Sequence, residues 1–67
     1  SDLLKQQVFQ TLANHPRALV SGISNLLNVP NRDVRAAVKE LRDEGIIDRR
    51  RKIIKPMYTQ LYLYGKD

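Results

Sequence analysis

A proline set between two apolar helical stripes constrains this chain more than any other feature. Pro30 lies in Asn28-Val29-Pro30-Asn31. Upstream, Ile23, Leu26 and Leu27 fall at the spacing of one helix face; downstream, Val34, Ala37, Val38 and Leu41 repeat at i, i+3, i+4, i+7. A single continuous helix would hold Pro30 in its interior, where it lacks an N–H and clashes with the preceding turn. Asn28 tolerates the left-handed conformation of a sharp turn, and Val29 is the apolar plug within it. Residues 19–47 therefore read as a short helix, a tight turn and a longer helix that stops at Gly45, where a left-handed C-cap is expected.

The flanks extend this pattern. Asp2 is placed to cap a first helix, in which Leu4, Val8 and Leu12 share a stripe widened by Phe9 and Ala13. Asn14-His15-Pro16 ends it, because a residue before proline is pushed out of the α region. His15, the one histidine, reads as a partner of the helix dipole rather than a catalytic base. Arg17-Ala18-Leu19-Val20 is expected to be extended, with room for a first strand, and Ser21 to cap the second helix. Helices are expected over about 2–14, 21–28 and 31–44. Ile46-Ile47 then begins a strand and DRRRKIIK forms a basic loop. Residues 57–64 alternate Met57, Thr59, Leu61 and Leu63 against Tyr58, Gln60, Tyr62 and Tyr64, as in a half-buried strand. A β-hairpin over about 46–64 makes the expected fold α+β: a winged helix-turn-helix in a single domain, 1–67.

Charge points to a polyanionic partner. Lys and Arg number 12 against 7 Asp and Glu, a net of +5. Residues 31–45 balance Arg32, Arg35, Lys39 and Arg42 against Asp33, Glu40, Asp43 and Glu44. The excess lies further on, in Arg49, Arg50, Arg51, Lys52, Lys55 and Lys66 against Asp48 and Asp67. There is no Cys and only one His, so no disulfide, zinc site or other cofactor is expected. Gly22, Gly45 and Gly65 are isolated, which excludes a glycine-rich phosphate loop. No nucleophile constellation or pair of buried acids points to an enzyme. No apolar run is long enough to span a bilayer or form a signal peptide, so an intracellular place, cytoplasmic or nuclear, is expected.

The order helix, short strand, helix, turn, helix, strand, basic loop, strand resembles the winged-helix superfamily over nearly the whole chain. The resemblance rests on Ile23, Leu27, Val29, Val34, Val38, Leu41, Gly45 and Ile46 and on the Tyr/Leu run after them. Within the superfamily, PMYTQLYLYGKD after a basic segment resembles the second winged-helix domain of the RNA polymerase III initiation subunit. LVSGISNLLNV with VRAAVKELRDEGII is similar to the winged-helix protein of the small ribosomal subunit, although that family's lysine-dense N-terminal tail is absent. The superfamily spans transcriptional regulators, polymerase subunits and modules that bind only protein, so the resemblance implies a fold more than a function.

The leading expectation is double-stranded DNA binding in transcription or its regulation, with the third helix in the major groove. Asn31, Arg32, Arg35 and Lys39 would reach base edges or flanking phosphates. Arg49, Arg50, Arg51, Lys52 and Lys55 would meet the backbone, and the amides near Ser21 a further phosphate. The alternative is a docking module within a transcription, replication or ribosomal assembly, with RNA contact open. In that reading Ile53, Ile54, Tyr62 and Tyr64 form a surface for a homodimer or larger complex; in the blander one, Ile53 and Ile54 fold onto the core.

Overall fold

The computed structural model describes residues 2–56, which form three helices: α1 (Asp2–Asn14), α2 (Val20–Leu27) and α3 (Asn31–Asp43). α3 is the central element; it packs on both α1 and α2, which touch each other less. The core lies where the apolar stripes converge. Val8 and Leu12 come from α1, Ile23 from α2, and Val34, Ala37, Val38 and Leu41 from α3, with Ile46 and Ile47 closing it. The α3 stripe is buried as its spacing predicts. In α2, Val20, Ile23 and Leu27 lie within about 60° of one another around the helix, and Leu26 lies about 100° round from Leu27. Leu26 is accordingly 62% exposed, a correction to the expected stripe. Ala13 is exposed too, whereas Thr11 is buried, its hydroxyl donating to the Gln7 carbonyl at 2.8 Å.

The turn between α2 and α3 is held by Ser24. Asn28 is left-handed, with φ 57° and ψ 47°, and its N–H donates to the Ser24 carbonyl. The same carbonyl accepts the Val29 N–H at 3.1 Å, while the Ser24 hydroxyl donates back to the Val29 carbonyl. The Pro30 carbonyl then accepts the N–H groups of Asp33 and Val34 at 3.0 and 3.2 Å, so α3 starts directly after the proline. At the far end Gly45 is left-handed, with φ 74°. Its N–H donates to Arg42, and the Ile46 N–H to Leu41 at 2.9 Å. These are the two bonds of a Schellman closure, which turns the chain so that Ile46 enters the core.

The expected α+β winged fold is corrected here: the described residues form a three-helix, all-helical domain with no strand. No first strand forms at 17–20, because the Ala18 N–H closes a turn onto the His15 carbonyl and Val20 already opens α2. Leu19, not Ser21, holds the cap position of α2, without a side-chain hydrogen bond. Ile46-Ile47 starts no strand either; one isolated antiparallel bridge joins Ile47 to Ile53. The reason is the Asp48 carboxylate, which accepts the Arg50 and Lys52 N–H groups at 2.8 and 3.0 Å. With Arg51 left-handed at φ 64°, the chain reverses within residues 48–52. The N–H groups of both Ile54 and Lys55 converge on the Ile46 carbonyl, and Pro56 has no N–H to continue a ladder. A pairing this short has no stability as a sheet of its own. The second strand expected at 57–64, with Tyr62 and Tyr64, lies outside the described residues.

Candidate nucleic-acid interface

The stretch 31–45, α3 with its C-terminal turn, is neutral as a whole but divided by face. Helical spacing places Arg32, Arg35, Lys39 and Arg42 on one flank of the buried stripe and Asp33, Glu40 and Glu44 on the other. The acidic flank turns toward α1. Asp33, Ala36 and Glu40 line a shallow cleft with Leu4 of α1, and Glu44 accepts a hydrogen bond from Lys5 Nζ at 2.7 Å. This contact raises the Lys5 pKa, chiefly through the hydrogen bond to Glu44, with burial working against it. Its stem is packed, leaving 14% of the side chain exposed.

The cationic flank faces solvent. Asn31, Arg32, Arg35, Lys39 and Arg42 are all exposed. Lys39 Nζ pairs with Asp43 at 2.7 Å, the i, i+4 pair the sequence predicts. Arg32 Nε lies 3.4 Å from Asp33 Oδ1 in a looser, exposed contact. Exposed ion pairs of this kind contribute about 0–1 kcal/mol and exchange readily for another anion. Ser21 is exposed within the first turn of α2.

The remaining site residues fall in the basic loop. Arg49, Arg50, Lys52 and Lys55 are exposed and Arg51 is half-buried. Asp48 is the acid nearest to them in sequence, and its carboxylate is engaged by backbone. The N–H groups of Lys52 and Arg50, with the nearby positive charges, hold its pKa below the ordinary value. The loop thereby keeps its cations available to an outside anion. Ile53 packs against the core while Ile54 is 59% exposed, so the isoleucine pair divides instead of acting as one surface.

The loop cations are gathered with a residue that sequence reasoning missed. Arg50, Arg51 and Lys52 line an open groove with Arg17 of the α1–α2 connection. Arg17 carried no motif; the only signal was its isolation as a cation in an otherwise apolar connection. The α3 cations do not line this groove. Among the described residues no helix is long and apolar enough to cross a membrane, and no group of three or more His, Cys, Asp or Glu could hold a metal ion. No protein-family model, curated protein or solved structure matches the chain.

Proposed function

We propose that this domain binds nucleic acid, double-stranded DNA foremost, in transcription or its regulation. It does so as a helix-turn-helix reader backed by a basic loop. The observation that carries the reading is the solvent-exposed flank of α3, where Asn31, Arg32, Arg35, Lys39 and Arg42 are all exposed and only Arg32 and Lys39 meet an acid, each in an exposed pair. A helix set in the major groove offers such a flank to base edges, where arginine reads guanine and asparagine reads adenine. Arg49, Arg50, Lys52 and Lys55 contribute phosphate contacts without sequence information, and Ser21 at the start of α2 one more.

The test is selection from a randomised duplex pool. A recurring half-site lost with Arg32→Ala and Arg35→Ala supports the reading. A pool that stays random leaves only unspecific charge. The second reading, a protein-docking module, is favoured by Leu3, Leu19, Leu26 and Ile54, which are 59–64% exposed. It requires Ile54→Asp to abolish an oligomer while the helical signal is kept.

A further inference from the structure

We propose that the groove between the end of α1 and the basic loop is a docking site for an acidic peptide segment that carries an aliphatic side chain. The groove has a volume of ≈ 470 Å³, the size of a site that holds a few side chains. Its apolar part comes from Ala13, Pro16 and Ile53, and its rim from Arg17, Arg50, Arg51 and Lys52.

Three observations fix the chemistry of the occupant. No acidic residue lines the groove, and none of its four cations enters an ion pair among the described residues. Among the described residues the rim cations have no ion-pair partner, with Asp48 the one acid near enough to feel Arg50 and Lys52, and the net positive rim selects an anion. Guanidinium groups meet carboxylates through two parallel hydrogen bonds, so an arginine-rich rim suits aspartate and glutamate. Among the described residues the apolar lining is aliphatic, with no aromatic ring. A single-stranded nucleic acid would look for stacking partners there, and a duplex has no apolar group to insert. A leucine or isoleucine flanked by acids satisfies both parts at once. Half-buried Ile53 supplies the surface against which it packs. The rim is also held in shape, because the carboxylate of Asp48 fixes the Arg50 and Lys52 amides. None of this draws on the α3 flank; Arg50 and Lys52 of the rim are shared with the proposed phosphate contacts, so peptide and nucleic acid compete for them.

The experiment is fluorescence anisotropy of the 67-residue chain with a fluorescein-labelled hexapeptide, two leucines between pairs of aspartates. Saturable binding is expected. Arg17→Glu with Arg50→Glu is expected to weaken it about tenfold or more, and a peptide with serines in place of the leucines to bind correspondingly less. Ala13→Asp, at an exposed helical position, should give the same loss by placing a carboxylate in the groove. Circular dichroism checks that each variant keeps its helices, and Arg35→Ala should leave peptide binding unchanged. The proposal is overturned if no saturable binding occurs, or if the serine peptide binds equally well. It is also overturned if an unlabelled oligothymidylate, and not the peptide, loses affinity through the charge reversals.

Discussion

α3 and the loop that follows it both carry a cluster of cations, yet they balance them in opposite ways. Residues 31–45 have as many acids as bases, and the fold sorts all the acids but Asp43, which pairs with Lys39. Asp33, Glu40 and Glu44 lie toward α1, where Lys5 meets Glu44, while Arg32, Arg35 and Arg42 remain outside. The loop has one acid, Asp48, which is spent on its own backbone. Net charge summed along sequence thus misreads both. It calls residues 31–45 neutral although one flank is positive, and it treats Asp48 as an ion-pair partner although its carboxylate is hydrogen-bonded to backbone. The helix is rigid, anchored by four buried side chains, and suits the reading of bases. The loop is shallowly anchored and suits sequence-blind attraction.

The largest test of this contrast concerns anchoring. Leu41→Ala empties a fully buried position and should cost about 2–5 kcal/mol in denaturant unfolding. Ile54→Ala in the loop should stay within about 0.5 kcal/mol. Comparable losses would show that the loop is as much part of the core as α3. Next comes binding. Arg35→Ala or Arg32→Ala should cost about 1–3 kcal/mol on a selected duplex and relax its specificity, whereas Arg50→Ala should weaken all duplexes alike. Competition anisotropy on matched and scrambled duplexes separates the two patterns.

Two glycines give a smaller, signed test of the helix ends. An added Cβ meets nothing within 4 Å at Gly22 or Gly45, so backbone conformation alone decides. Gly22→Ala, inside α2, should stabilise by about 1 kcal/mol. Gly45→Ala, at φ 74°, should destabilise by about 1–2 kcal/mol. Thermal unfolding of both variants reads the opposed signs. The smallest effect is the pH response of the loop. Because the Asp48 pKa lies below its ordinary value, its contribution is present above about pH 4 and is lost as pH falls through the lowered native value. The amide resonances of Arg50 and Lys52 should shift together in that acidic range, and Asp48→Asn should remove most of the shift.

How far the sequence carried this picture depended on whether a residue acts through its own backbone or through a partner. Pro30, Asn28 and Gly45 set local conformation by their covalent structure, and the helix–turn–helix boundaries followed from them. The α3 stripe was legible because its burial is continuous over the whole helix. α2 was less so: in a helix of eight residues, one direction of packing separates Val20, Ile23 and Leu27 from Leu26, and periodicity alone does not give that direction. Asp48 was read as a charge within a long hairpin loop, but its side chain is a turn-former that reverses the chain early. The cationic flank of α3 was read correctly as exposed, while the engagement of Glu44 depends on Lys5, a residue far away in sequence. Arg17 joined the loop cations only through tertiary packing.

The most direct measurement is fluorescence anisotropy of the domain on a mixed-sequence duplex, titrated with salt, for the unchanged chain, Arg35→Ala, and a variant with Arg49, Arg50 and Lys52 all replaced by Ala. The account predicts that the logarithm of the binding constant falls linearly with the logarithm of salt concentration, at a slope of about −0.9 per phosphate contacted. The loop variant should flatten that slope, and Arg35→Ala should leave it close to unchanged. Absence of binding at about 50 mM salt, where phosphate contacts are strongest, would contradict nucleic-acid binding outright. A slope that survives loss of the loop cations would contradict the division of labour between loop and helix.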